Sequence, residues 1–271
     1  VTDGALGTML ESLGVPLPPP LWSAGAIDTH PAVIAALHAA YADAGATVHT
    51  ANTFRTSPTA AGDDAARLAF AAVALCRGAV PRDHRVAGSL APVFDCWRPD
   101  LSPPDAYDRH RVTADLLARA GVDLILVETF AHPDEAVAAT LAAAQTGLEV
   151  WTSLTPGFDG TLLSPAALAQ AARRCADAGA TRVLVNCLPA ARATPWVEAL
   201  AATGLAWGIQ ANGGAPEDGL THGTPGSADR YARLAAAWRA HGASVIGGCC
   251  GTGPEHIRAS CNMFHSTAHR P

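Results

Sequence analysis

Lysine is absent from this chain of 271 residues; all 18 basic residues are arginine. Schiff-base and lysine general-base chemistry are therefore excluded. Charge of any kind is scarce, at 15% of residues, and the net charge of −6 leaves no basic field for nucleic acid or an anionic membrane. No run of 18 apolar residues occurs, so no transmembrane span is expected. No signal-peptide pattern is visible, and a cytoplasmic setting is the expectation. HxH and HExxH patterns are missing, which removes the usual ligands of metallohydrolases. The first glycines, Gly4-Ala5-Leu6-Gly7, do not form a GxGxxG dinucleotide fingerprint.

What is present is a large apolar fraction, 49%, with 60 alanines. That is enough to bury a sizeable core, and the length fits one large α/β domain. Short β-type runs alternate with helical windows. The runs are a stub at 1–3, then 47–50, 85–90, 123–128, 149–154, 182–186, 206–210 and 244–247. Helical windows lie at about 32–44, 63–77, 105–120, 133–146, 165–178, 194–203 and 227–241, with a short one at 254–260. Pro31, Pro133, Pro165, Pro195 and Pro254 stand where helices should start. Gly45, Gly121, Gly147, Gly179 and Gly242 stand where they should stop. Eight βα units predict a single (β/α)8 TIM barrel over residues 1–271, with its chemistry at the C-terminal ends of the strands; a doubly wound open sheet, which usually carries the missing glycine fingerprint, is the alternative. The chain opens on Val1-Thr2-Asp3 without a Met, and upstream residues are expected to complete strand one. Segments 11–31 and 211–226 read as long loops, either lids over the mouth or ordinary surface.

The predicted strand ends carry Asp3-Gly4, Asn52, Ser89, Glu128-Thr129, Ser153, Asn186-Cys187, Asn212 and Gly248-Cys249-Cys250. Adjacent strand residues point to opposite faces. Cys249 and Cys250 can share a site only if the backbone leaves strand geometry there, and Gly247, Gly248 and Gly251 offer that freedom. Cys187, 62 residues before Cys249, is the natural third thiol. Three protein ligands with one position open describe a catalytic rather than a structural zinc. Spacing alone leaves zinc ligation, plain thiols and a strained vicinal disulfide of Cys249 and Cys250 open. Cys76, Cys96, Cys175 and Cys261 read as packing residues. His49 reads as a core or rim histidine.

Several segments resemble one family. GGCCGTGPEHI (247–257) and VNCLP (185–189) look like the zinc motifs of the homocysteine S-methyltransferase family. DGALGTML (3–10), ANTFRTSP (51–58) and LILVETF (124–130) resemble its other motifs, in family order. The resemblance implies Zn2+ on Cys187, Cys249 and Cys250, with the homocysteine sulfur as fourth ligand. It implies that Asp3, Gly4, Ala5 and Glu128 hold the amino acid end, and it places Asn52 at the mouth. Methyl transfer from a small cationic donor, S-methylmethionine or S-adenosylmethionine, then yields methionine. Three cysteinates give zinc a formal charge of −1, which keeps a bound thiolate nucleophilic and favours a cationic donor. No corrinoid or folate module is expected in the chain. A different thiol or selenol acceptor, or a catalytically silent thiol-binding barrel, is the alternative.

Overall fold

The computed structural model describes residues 1–268. Seven strands alternate with helices: β1 Val48–Ala51, β2 Arg85–Leu90, β3 Leu124–Phe130, β4 Glu149–Leu154, β5 Arg182–Pro189, β6 Trp207–Asn212 and β7 Val245–Gly248. They form one parallel sheet in sequential order. A parallel neighbour can be reached only by a crossover, and every crossover here carries a helix.

The two faces of each strand bury different cores. One face packs on the helices through residues such as Ile125, Val127, Val183, Val185 and Ile209. The helices answer largely with alanine, for example Ala136, Ala139 and Ala143, whose small side chains let helix and sheet approach closely. The other face gathers Ala87, Leu124, Leu126, Trp151, Leu184 and Val245 into a second cluster. Strict alternation along the strands produces this division.

Helix boundaries follow the proline and glycine signals. Helices run Pro31–Asp43, Pro133–Ala144, Pro165–Asp177 and Pro254–Ala268. Gly45 and Gly179, at φ +102° and +114°, take conformations that a side chain would strain. The last helix corrects the expectation of a short one at 254–260. Of the polar tail, residues 269–271 lie outside the described residues.

The expected strand at 1–3 is reduced to a single bridge between Thr2 and Val48. Three residues are too few for a ladder, yet they bond to both edges of the sheet. Asp3 donates to the Val48 carbonyl at 3.1 Å and Thr2 to the Ile246 carbonyl at 3.0 Å. Gly248 in turn donates to the Asp3 carbonyl at 3.0 Å.

The segment 11–31 is not a loop either. It contains a 3-10 turn, Trp22–Gly25, and a short helix, Ala26–Thr29. Val15, Ala24 and Ile27 pack with Met9, Ile34, Leu37 and Leu68 in a separate apolar cluster. The prolines masked that cluster, because its apolar residues follow neither helical nor strand periodicity.

His49, within β1, is fully buried, with Nε2 3.0 Å from His84 Nδ1. His38 is buried nearby, and neither of its ring nitrogens has a partner among the described residues. Burial lowers both His38 and His49 to about 4. An unfolded histidine protonates near pH 6.5 and these do not, so stability drains as pH falls from 6.5 towards 4. Relative to wild type, His38→Leu should therefore gain about 2 kcal/mol between pH 7 and pH 5. Urea unfolding of both proteins at the two pH values measures this. Parallel pH profiles would show that His38 is not held neutral.

Candidate metal and substrate site

One cavity of about 430 Å³ opens at the C-terminal ends of the strands. Asp3, Gly4, Ala5, Asn52, Glu128, Cys187, Cys249 and Cys250 all line it. They come from segments up to 247 residues apart, so the fold, not local sequence, assembles the site.

Cys249 and Cys250 follow the last residue of β7, where the chain turns out of the sheet. Gly251 supplies the positive φ, +76°. Gly247 and Gly248 serve differently from the sequence expectation: neither has positive φ. A Cβ on Gly247 would lie 1.8 Å from Thr2 Oγ1, and one on Gly248 2.2 Å from Thr252 Oγ1. They are needed for close approach. The turn is braced on several sides. Cys249 donates to Ala211 O at 2.8 Å, Gly213 donates to Cys250 O at 2.8 Å, and His222 donates its amide to Gly251 O at 2.7 Å. Gly251 donates to Thr8 Oγ1 at 2.9 Å. His222 is also paired with Glu255 in the last helix. The segment 211–226 thus splits from 11–31 in role. Leu17, Trp22 and Ser23 line the cavity, whereas residues 213–226 support the cysteine turn from outside it.

Cys187 reaches the site by a different device. In β5, Val183 and Val185 face the helices and Leu184 faces the inner cluster. Alternation would send Cys187 towards the helices. Instead the β5–β6 register slips between Asn186 and Pro189, and Cys187 takes φ +52°. This bulge turns the thiol into the cavity. A matching irregularity falls between Val127 and Phe130, with Thr129 at φ +67°. Asn186 Nδ2 donates to Thr129 Oγ1 at 2.8 Å and ties the two bulges together. Among the described residues Trp22 is the third non-glycine residue with positive φ, at +46°, and all three line the cavity. Strained backbone gathered at one place marks a functional site.

The ligand sulfurs of Cys187, Cys249 and Cys250 lie within 4.8 Å of one another. Cys187 Sγ and Cys249 Sγ are 2.8 Å apart. Three sulfurs gathered this closely could hold one metal ion, and soft thiolates suit zinc. Hydrogen bonds with Cys187 and Cys249 hold the Cys250 thiol well below the usual range. The hydrogen bond with Cys249, then that with Cys250, pushes Cys187 up. The cluster therefore loses one proton readily and the next with difficulty, until a cation balances the charge.

Beside the thiols stand two enclosed carboxylates. Thr50 donates its amide to Asp3 Oδ2 at 2.7 Å and its hydroxyl to Oδ1 at 3.1 Å. Ser89 donates to Glu128 Oε1. Burial raises both acids to about 7, and neither has a cationic partner among the described residues. The cavity is thus built to receive positive charge. Gly4 has no room for a side chain, since a Cβ would lie 2.9 Å from Tyr41 and from Thr252 Oγ1.

Asn52 holds the wall. Ser23 Oγ donates to its Oδ1 and its Nδ2 donates to Ser23 O, both at 2.7 Å. Next to it, Trp22 and Phe54 stack at 6.2 Å, and the Arg55 guanidinium lies 4.4 Å from the Trp22 ring centre. Arg55 Nη1 donates to Phe94 O at 2.7 Å, so three loops are clasped together. Cys96 also lines the cavity, but burial pushes its thiol up to about 12. Thr50, Ser89, Gln210 and Trp22 were not singled out from sequence as binding residues. Strand alternation signals the first three; nothing in the sequence marks Trp22.

The fold and site define a class: a parallel α/β scaffold with three convergent thiols that could hold a metal ion, beside an acidic pocket. The family model for homocysteine S-methyltransferase matches residues 1–264, and the chain belongs to that family. Homocysteine S-methyltransferase from Escherichia coli (strain K12) is 29% identical, over 95% of this chain and 92% of that protein. Homocysteine S-methyltransferase 1 from Zea mays is 25% identical, over 96% and 92% respectively. The homocysteine methyltransferase MmuM from Escherichia coli, in its metallated form, superposes with a TM-score of 0.75. At 23% identity over 96% of this chain and 95% of that one, this is a likeness of fold. Among the described residues no helix is long and apolar enough to cross a membrane.

Proposed function

We propose that this protein transfers a methyl group from a small cationic donor, a sulfonium such as S-methylmethionine or S-adenosylmethionine, to the thiol of homocysteine. The observation that carries this reading is the meeting of three cysteines and two uncharged-leaning carboxylates in one cavity. In this reading residues 1–271 form a single (β/α)8 barrel in which residues 1–3 serve as the eighth stave, since they bond to both sheet edges. Cys187, Cys249 and Cys250 would hold Zn2+, which supplies the chemistry of keeping the substrate sulfur a thiolate at neutral pH.

The protein's own residues do the rest. Asp3 and Glu128 take the substrate ammonium, which draws both into the ionised state. Backbone amides at Gly4 and Ala5, in the turn before the helix Gly7–Ser12, take the carboxylate. Asn52 fixes the 22–25 wall, so water is kept from the sulfur. The excess negative charge of the thiolate cluster and the pocket acids attracts a cationic donor. Transfer then needs the methyl carbon in line between two sulfurs and no proton transfer, so placement dominates. A homocysteine assay against sulfonium and betaine donors, reading methionine by mass spectrometry, tests the proposal. Methionine formed with a sulfonium supports it. No product with any donor from zinc-loaded protein that still binds homocysteine would leave a silent thiol-binding barrel.

A further inference from the structure

Gln210 lines the cavity from β6, on the inward phase of the strand, since Ile209 and Ala211 pack towards the helices. It is 5% exposed. Its Nε2 donates to Thr2 Oγ1 at 3.1 Å, while the Thr2 hydroxyl leans on Asp3 O at 3.4 Å. Thr2 is packed against Gly247, where any Cβ would collide with Oγ1. The hydroxyl position is therefore fixed, and with it the orientation of the amide. That leaves Gln210 Oε1 buried with no partner. Native structures rarely keep a buried acceptor unpaired unless a ligand or water completes it.

We infer that Gln210 Oε1 accepts one N–H of the substrate's α-ammonium, as a third acceptor beside Asp3 and Glu128. The inference rests on the homocysteine reading above. A primary ammonium has three N–H donors. Two carboxylates satisfy two of them. A third carboxylate would add repulsion to a site where burial already resists ionisation of both acids; a neutral amide oxygen adds an acceptor without charge. Gln210 thereby selects amino thiols over thiols that lack the amine.

The test is calorimetric titration of zinc-loaded protein with homocysteine and with 4-mercaptobutanoate, which is homocysteine without its amino group. Gln210→Met keeps the length and removes the acceptor. It should weaken homocysteine about tenfold or more, as for a hydrogen bond to a charged group, and leave 4-mercaptobutanoate unchanged. The retained affinity of Gln210→Met for 4-mercaptobutanoate shows that the variant is folded and its thiol site intact, which guards against a variant that merely fails to fold. Unchanged homocysteine affinity in Gln210→Met, or equal losses for both thiols, would overturn the inference alone. Wild-type protein that binds neither thiol would overturn the homocysteine reading and this inference with it.

Discussion

Cys249→Ser is expected to take the protein from about one zinc per chain to almost none, and methionine formation with it. The effect should be this large because the site has no spare ligand: among the described residues the other four thiols stand outside the three-sulfur cluster, and two sulfurs do not make a tetrahedral set. Serine is close in size to cysteine, and the backbone bonds that brace the turn, from Cys249 to Ala211 O and from Gly213 to Cys250 O, do not involve the lost sulfur. The fold should survive, which circular dichroism would show. Cys96→Ser is the informative comparison. Cys96 shares the cavity but not the three-sulfur cluster, and it should keep its metal. Metal content by inductively coupled plasma mass spectrometry decides the matter. A full zinc load in Cys249→Ser would refute the assignment.

Glu128→Gln should split stability from binding. At pH 8 the wild-type carboxylate is ionised in an enclosed pocket although burial raises it to about 7. An acid raised on folding costs stability as pH climbs from the unfolded value through the folded one. After allowance for its partial exposure, the ligand-free protein should gain on the order of 2 kcal/mol from the amide. The gain should vanish near pH 4, where the wild-type acid is protonated in both states. Homocysteine affinity should fall by about two orders of magnitude, since one of two charges facing the ammonium is gone. Thermal melts with and without homocysteine across pH 4–8 measure both effects. A variant that binds homocysteine like wild type would remove Glu128 from the substrate site. The sign is opposite to that of His38 and His49. Acid favours the pocket carboxylates in the folded state and opposes the buried histidines, so single-residue variants resolve slopes that partly cancel in the wild type.

The parts of the fold that were legible in sequence are those written in local pattern. Proline at helix starts, glycine at helix ends and short β-branched runs placed all seven strands to within a few residues. Thr2 and Asp3 were harder, because a three-residue segment has no periodicity and its partners, Val48 and Ile246, lie far apart in sequence. The site was legible as a set of residues: all eight candidates line one cavity. How they arrive there was not. Cys187 is off the inward phase of β5, and only a bulge, which alternation cannot forecast, brings it in. The value of Gly247 lies in the Thr2 hydroxyl beside it, a contact made across more than 240 residues of sequence. The 11–31 segment looked unstructured because its proline cluster hid the apolar residues that anchor it.

The tripeptide Val1–Asp3 joins two duties in one place. Its backbone stitches the two sheet edges, and its last side chain stands in the acidic pocket. If Asp3 takes the substrate ammonium as proposed, occupancy and closure are thermodynamically linked. A ligand that grips the Asp3 carboxylate also pins the seam, and any fluctuation that unzips the seam discards the ligand. The amides of Thr2, Asp3 and Gly248 should then exchange with solvent as one cooperative unit, slowed in proportion to ligand concentration. On that reading, this seam is the place where binding energy is converted into rigidity.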